Sequence, residues 1–391
     1  YVLPYTPSPI RVRPFQLIRA LAELGHRVTV VALEDEFGMA NALADLQEVC
    51  DAVHIVPHSK WRGAAQAALA LPTPTPLWAA FCFSSAMNAK LRELVATGAF
   101  DVAHVEHLRA AHFAPALAPL PTVFDAVDCI TALRRQMLDA GGSLPSRLLS
   151  WEEWHKLRSY EPRAYRAFGQ IAVTSTYDKS ELLKLDAGLP TITVIPNGVD
   201  AQYFCPDASI APEPDNIVFS GKMSYGANDD AAWFLLDEIL PALRKRRPGV
   251  KITIVGSKPT DALQAIAART EGVEVTGYVD DIRPYLSRST VAVCPMRIGV
   301  GIQNKALEAM AMGRAVVCSP IAARALGENA GVRVAESAAD FAAVCAELLA
   351  APKVQTAVMG QAARAYVEKK HIWRGAAEAF VDLYEKVIVA P

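Results

Sequence analysis

Residues 299–320 read GVGIQNKALEAMAMGRAVVCSP, and this stretch decides how the rest of the chain is read. A loop with glycines at 299 and 301 leads into a run whose apolar residues Ala306, Leu307, Ala309 and Met310 return at helical spacing. Gly313 marks the end of that helix, and the apolar 315–318 follows as a short strand. Lys305 falls in the first turn and Glu308 about one turn further on. A helix N-terminus offers unpaired backbone N–H groups and a positive dipole end, which suit a diphosphate. Gly301, Ile302, Gln303 and Asn304 would form the backbone cradle, Lys305 would add a mobile charge, and Glu308 could accept from ribose hydroxyls. On spacing alone, an ordinary amphipathic helix with Glu308 facing solvent reads equally well.

Working outward, short apolar runs alternate with longer helical stretches along the whole chain. Strands are expected at 1–5, 27–33, 53–56, 102–105, 122–126 and 171–174, then at 216–220, 251–255, 273–276, 291–295, 315–318 and 332–335. Segments such as 14–24 and 230–245 carry apolar residues at helical spacing between them. Such alternation predicts parallel sheets covered on both faces. Two sets of about equal size predict two doubly wound, Rossmann-like α/β domains, with turn residues in IPNGVDAQYFCP (195–206) marking the break. In such sheets ligands bind beyond the carboxyl ends of the strands, so two facing domains imply a cleft.

Bulk composition narrows the function. The 391 residues are 52% hydrophobic and 20% charged with a formal net charge of -2, so no basic excess points to nucleic acid. Seven cysteines are scattered, with no CxxC pair, which argues for free thiols in a reducing cytoplasm and against a zinc site. The apolar stretch 63–83 is interrupted by Pro72, Pro74 and Pro76 and contains Gln66, so it is not read as a membrane span. No basic-plus-apolar leader precedes the first expected strand, although the numbering opens inside that strand.

The segment LEAMAMGRAVV, with VIPNGVDAQYF at 194–204, VFSGKMSY at 218–225 and VTGYVDDIRPYL at 275–286, resembles the signatures of family 4 retaining glycosyltransferases in order and spacing. The wording GIQNKxLEAMAMG is most similar to the subgroup associated with bacterial exopolysaccharide clusters. The resemblance implies the GT-B architecture, with an acceptor-side domain over 1–197 completed by a C-terminal helix at about 374–391, and a nucleotide-sugar domain over 198–373. It implies a nucleotide-diphosphate sugar as donor, a saccharide, lipid-linked or small-molecule acceptor, and a cytoplasmic location with room for peripheral contact with the inner face of the membrane. No cofactor and no metal are expected. The adjacent pairs Asp229-Asp230 and Asp280-Asp281 are not spaced as the carboxylate pair of metal-dependent transferases.

The resemblance also assigns residues. Gly221 and Lys222 follow the first strand of the second domain, where the lysine would reach the diphosphate, and Lys305 would supply the second charge. Tyr278 and Val279 would line the base pocket. In the first domain Arg13 is the candidate for a further diphosphate contact, with Arg11 nearby, and Glu106 or His107 of DVAHVEHLRAAH would contact donor or acceptor sugar. His104 reads as a buried strand histidine, and Asp125 and Asp128 either bind acceptor hydroxyls or cap the next helix. Each of Lys222, Tyr278 and Arg13 has an ordinary surface or packing role as its alternative. Lys222, Lys305, Glu106 and His107 are the catalytic candidates. The chain departs from the family in two places: the first of its two paired glutamates falls on Val300, and the first loop, TPSPIRVR (6–13), lacks glycine. These departures keep a non-catalytic nucleotide-sugar-binding relative open, alongside an epimerase of the same architecture. TPSPIR is not the GxGxxG that a nicotinamide dehydrogenase needs.

Overall fold

The computed structural model describes residues 1–8, 12–34, 39–141 and 144–389. The chain divides into two units, one formed by Tyr1–Asn197 with Trp373–Pro391 and the other by Gly198–Ile372. Trp373 thus belongs to the first unit, one residue earlier than the sequence expectation.

In the first unit, β1 (Val2–Leu3), β2 (Thr29–Leu33), β3 (Ala52–Val56), β4 (Ala103–Glu106), β5 (Thr122–Val127), β6 (Gln170–Val173) and β7 (Ile192–Val194) form one sheet in the order β3-β2-β1-β4-β5-β6-β7. Every pairing is parallel. The helices Val12–Glu23 and Trp373–Val389 pack together against it through Leu17, Ile18, Leu21, Ala377, Phe380 and Leu383, all buried. The expectation missed β7, three residues lodged between Pro190 and Pro196. As the edge strand it makes one ladder only, so flanking prolines are tolerated there.

In the second unit, β8 (Asn216–Ser220), β9 (Lys251–Val255), β10 (Val273–Val275), β11 (Val291–Cys294), β12 (Ala315–Cys318) and β13 (Arg333–Val334) form a parallel sheet in the order β10-β9-β8-β11-β12-β13. All residues of β8, β11 and β12 are buried, as expected of parallel strands covered on both faces. The helix expected at 230–245 begins earlier, at Gly226, and runs Gly226–Phe234 into a π-helical turn, Leu235–Ile239, before Leu240–Arg244. Pro241 has no N–H for a regular α-turn, and the wider turn lies directly before it.

Both strand orders reverse direction beside the first strand of the unit, between β1 and β4 and between β8 and β11. The carboxyl ends at such a reversal are where a doubly wound sheet opens a ligand crevice.

Candidate functional site

In the second unit the loops at this reversal are held by close backbone contact. A Cβ added at Gly256, just after β9, would lie 1.8 Å from the Gly221 carbonyl oxygen after β8, so only glycine lets the two loops meet. Gly221 in turn faces Asn228, whose Nδ2 would stand 2.8 Å from a Cβ placed there. Asn228 is buried in the helix Gly226–Phe234 and joins the two candidate lysines. Its Nδ2 donates to the Lys222 carbonyl at 3.0 Å, and its Oδ1 accepts from Lys305 Nζ at 2.9 Å. Gln303 Oε1 accepts from the same ammonium at 3.2 Å, and the Phe219 ring lies 5.8 Å beneath it.

The helix Asn304–Ala311 carries Lys305 in its first turn, and Gln303 at its N-cap makes no side-chain capping bond. Its buried face is Ala306, Leu307, Ala309, Met310 and Ala311. Its end is a Schellman motif: Arg314 N–H donates to the Ala309 carbonyl at 3.0 Å and Gly313 N–H to that of Met310 at 2.9 Å, with Gly313 at φ 65°. Gly360 of the helix Lys353–Lys370 presses on this cap, where a Cβ would come within 1.9 Å of the Gly313 carbonyl oxygen. The wording AMG therefore sets the length and seat of the helix, and through them the place of its N-terminus.

Gly301 and Ile302 are buried in the loop, and Gln303, Asn304 and Glu308 are half-buried. Burial pushes the Glu308 carboxyl up to about 7, against a smaller opposing pull from Lys305. Glu308 thus does not stand as a plain solvated residue. Val300, where the family carries glutamate, is buried. Tyr278 projects into solvent with 71% exposure, beyond the half-buried strand-end position that was its packing alternative, and Val279 beside it is half-buried. Lys222 is half-buried after β8.

The first unit treats its candidates differently. Arg13 was expected to approach a diphosphate, but its guanidinium is buried and committed inside the unit. It donates to Asp125 at 2.7 and 3.1 Å, to Asn197 Oδ1 at 2.7 Å and to the Ile195 carbonyl at 3.2 Å. Ile195 and Asn197 belong to the VIPNGVD signature, so that motif anchors a buried ion pair. The companion Arg11 lies outside the described residues. Glu106, expected at a sugar, is also buried: both its oxygens accept phenol hydroxyls, from Tyr1 at 2.6 Å and Tyr5 at 2.8 Å. Burial, then the nearby Asp125 charge, raises its carboxyl to about 7. Asp125 is buried as well, so the acceptor-binding alternative for it gives way to the ion pair.

His104 is the buried strand histidine that the sequence suggests, stacked 4.0 Å from Tyr1, with Nδ1 2.7 Å from Tyr384 Oη on the C-terminal helix. Ligand atoms of His104, Glu106 and Asp125 lie within 4.8 Å of one another, a grouping of metal-ligating types. The Arg13 guanidinium and the two tyrosine hydroxyls already occupy the two carboxylates, so the cation of this cluster is an arginine.

His107 stands at the carboxyl end of β4 with φ 71°, and Val127 ends the neighbouring β5 with φ 66°. Non-glycine residues in the left-handed region cost free energy, the more so for a β-branched valine, and such strain concentrates at functional positions. The Arg109 backbone N–H donates to His107 Nδ1 at 3.2 Å, which leaves the ring proton of the neutral imidazole on Nε2. Asp128, just beyond Val127, accepts from Thr174 Oγ1 at 3.1 Å, and burial with the neighbouring Asp178 raises its carboxyl to about 7.

Sequence reasoning did not single out Asn228, Tyr5 or Arg324, whose Nη2 donates to the Gly299 carbonyl at 2.6 Å. Asn228 had a local signal, since it opens a helix directly after the first strand of its unit. The other two have none, because their partners lie 101 and 25 residues away.

Two family models match the chain, "Glycosyltransferase Family 4" over residues 12–203 and "Glycosyl transferases group 1" over residues 214–351. The chain is 27% identical over 331 residues to a phosphatidyl-myo-inositol mannosyltransferase of Mycolicibacterium smegmatis, a match covering 82% of this chain and 75% of the relative. Among solved structures it is similar to a sucrose-phosphate synthase from Thermosynechococcus elongatus, with TM-score 0.72 and 16% identity over 100% of this chain and 99% of that one. It is also similar to HepE of Anabaena in complex with UDP and glucose, with TM-score 0.69 and 13% identity over 98% and 99% of the two chains. At such identities the structural likeness speaks for the fold, which is GT-B. With one family model on each parallel-sheet unit and sugar-transferring relatives, the chain belongs to the family 4 glycosyltransferases.

Proposed function

We propose that this glycosyltransferase moves a hexose from a nucleoside-diphosphate sugar to a saccharide, lipid-linked or small-molecule acceptor, with retention at the anomeric carbon and without a metal ion. The observation that carries this reading is the Lys305–Asn228–Lys222 linkage at the N-terminus of the helix Asn304–Ala311. As the glycosidic bond to the diphosphate breaks, negative charge grows on the β-phosphate oxygens. Preorganised donors aimed at that charge lower the barrier most. Asn228 and Gln303 hold the Lys305 ammonium beside the helix N-terminus, and Lys222 stands on the loop that Asn228 ties down. Glu308 takes the ribose hydroxyls.

His107, with its proton on Nε2, serves in this reading as a donor to a sugar oxygen rather than as a base. Neither Glu106 nor Asp125 is offered as a nucleophile in this reading, since both are buried and engaged. In keeping with the family resemblance, the acceptor in this reading attacks from the face the diphosphate leaves, and a departing phosphate oxygen takes its proton. UDP-glucose is the first donor to try, because a structural neighbour was solved with UDP and glucose. The exopolysaccharide setting and cytoplasmic location remain part of the same proposal, on the strength of the GIQNKxLEAMAMG resemblance.

The test is a donor–acceptor screen with product analysis by NMR. An α-linked product from an α-linked donor, formed at undiminished rate in EDTA, is expected. A β-linked product, or a restorable requirement for Mg²⁺ or Mn²⁺, overturns the mechanism. A second reading, a non-catalytic nucleotide-sugar binder, draws on the buried, apolar Val300 at the family's glutamate position. Tight donor binding with no product from any acceptor would favour it.

A further inference from the structure

Two arginines of the first unit stand outside its buried ion cluster. Arg109 lies two residues beyond His107, past the carboxyl end of β4, and Arg134 lies on the helix Ile130–Asp139 that follows β5. Both stack on one indole: the guanidinium carbons of Arg109 and Arg134 are 6.0 and 5.8 Å from the centre of the Trp78 ring. Arg109 also lies 5.1 Å over the ring of Tyr5, which follows β1, and its Nε donates to His107 Nδ1 at 3.4 Å. The Tyr5 and His107 rings meet edge to face at 6.2 Å. One set of contacts thus joins these five side chains at the carboxyl end of the sheet, the end at which a doubly wound sheet takes its ligands.

Trp78 is 50% exposed, yet the helix that carries it is anchored at both ends. That short helix, Leu77–Phe81, begins with the Leu77 N–H, which donates to Glu153 Oε1 of the helix Leu144–Tyr165 at 2.6 Å. At its other end Gly63 of the helix Lys60–Ala70 approaches so closely that an added Cβ would lie 2.8 Å from the Phe81 carbonyl oxygen. An indole anchored in this way holds the two guanidiniums by cation–π attraction.

Such stacking occupies the flat face of a guanidinium and leaves its N–H donors, which lie in the plane, directed away from the stack. Among the described residues no carboxylate pairs with Arg109, whose partners are an imidazole nitrogen, a phenol ring and the indole. Arg134 has the buried Glu153 as an electrostatic neighbour, and Glu153 is already committed to the Leu77 N–H. Glu152 beside it pairs with Lys156. A half-buried cation with no acid beside it gains most from an anionic ligand, because water competes less there. Two planar forks held on one ring suit a phosphate better than a carboxylate. A carboxylate offers two coplanar oxygens and fills one fork, whereas a phosphate ester or diphosphate offers oxygens in several directions.

We propose that Arg109 and Arg134, held by Trp78, bind a phosphate carried by the acceptor, so that the acceptor is a phosphorylated saccharide. The inference rests on the transfer reaction proposed above, whose donor site lies in the second unit, and its test is a binding measurement that needs no turnover. UDP is titrated first and then kept saturating while the full chain is titrated with glucose 6-phosphate, geranyl-diphosphate-linked glucose, glucuronate and glucose. One of the two phosphorylated probes should bind at least about tenfold more tightly than glucose or glucuronate, and which one it is tells a free sugar phosphate from a lipid-linked one. Arg109→Gln should cut that affinity at least about tenfold, and Arg109→Lys, which keeps the charge without the fork, should cut it by less. Trp78→Leu should cut it about threefold or more although it removes no charge. UDP affinity and melting temperature should stay those of the parent in all three variants, and if Arg109→Gln loses its fold, Trp78→Leu decides. Equal binding of phosphorylated and neutral probes, tighter binding of glucuronate, or undiminished affinity in Arg109→Gln and Trp78→Leu overturns the proposal. So does a fall in UDP affinity in Arg109→Gln, which would assign the arginines to the donor diphosphate. Phosphate-dependent binding with no product from any donor upholds the arginine site and counts against the transfer reaction alone.

Discussion

The two sheets share a strand order around their reversal points, yet they place charge in opposite ways. In the first unit the charges nearest that point, Arg13, Glu106 and Asp125, are all buried and satisfied by one another or by tyrosine and asparagine. In the second, Lys222 after β8, Lys305 in the first turn of its helix and Glu308 a turn further on are half-buried, and Asn228 joins the Lys222 carbonyl to the Lys305 ammonium. One fold thus carries a buried internal ion cluster and, at equivalent positions, half-buried charges that the proposed function gives to a diphosphate. Strand order says where a site can be, and burial says whether its charges are for ligands or for the protein itself.

Breaking the first-unit cluster should give the largest effect. Removing one partner of a buried ion pair strands the other, which typically costs about 3–5 kcal/mol. Arg13→Met or Asp125→Asn should therefore lower the denaturation midpoint sharply in urea, and the double variant Arg13→Met/Asp125→Leu should recover part of the loss. If Arg13→Met unfolds like the parent but loses nucleotide affinity, the two units are alike after all and the contrast fails.

Next come the second-unit lysines. Lys305→Ala and Lys222→Ala should each lower kcat by about two to three orders of magnitude, the usual cost of removing one charge stabiliser. Melting temperatures should barely move. Near-normal turnover in both would remove the proposed diphosphate cradle, and a large stability loss would make them structural, as Arg13 is.

Glu308→Gln should weaken nucleotide binding by about 1–2 kcal/mol, since a charge-assisted hydrogen bond becomes a neutral one. Titration calorimetry with the free nucleoside diphosphate should report the same loss as with the intact donor, because both carry the ribose. Intact binding with collapsed single-turnover rates would instead make Glu308 a catalytic base.

The smallest effect, and the finest comparison, is in pH. Glu308 and Glu106 are both raised to about 7 by burial. A carboxyl raised in the folded state binds a proton there that the unfolded chain has already released. Its contribution to stability is therefore present at acid pH and lost as pH rises through about 7. On the proposed role of Glu308 the ribose hydroxyls donate to its ionised form, so nucleotide affinity should climb from about pH 6 to about pH 8, by less than about tenfold. Glu308→Gln should remove that part of the slope, leaving the ionisation of the nucleotide itself. Glu106→Gln should flatten the stability profile and leave the pH dependence of binding unchanged. A binding slope that follows Glu106 instead would place it at a ligand after all.

Much of the fold was legible because parallel, doubly covered strands are short apolar runs that announce themselves locally. The windows 216–220, 251–255 and 315–318 coincide with β8, β9 and β12. The expected ends of β1 and the omission of β7 differ because edges and ends depend on neighbouring strands. For the site, the order Gly301 to Glu308 fixes a helix N-terminus with a lysine in its first turn, and Gly313 fixes where that helix stops. Those are consequences of helical geometry and need no partner from elsewhere.

The uses of charge were decided only in three dimensions. Arg13 finds Asp125 at a separation of 112 residues and Asn197 at 184, and Lys305 finds Asn228 at 77. A motif records which side chain is present at a strand end, but solvent exposure there depends on what the rest of the chain packs over it. Arg13 of TPSPIRVR and Glu106 of DVAHVEHL read as ligand groups because their sheet positions are right. They became internal because Tyr1, Tyr5 and the Ile195–Asn197 segment close over them, with the C-terminal helix packing beside them through Phe380 and Tyr384. The sequence alone determined the two sheets and the helix that offers its N-terminus. The tertiary structure decided which charges remain for a ligand, because desolvation and pairing are properties of the packed molecule and of no single segment.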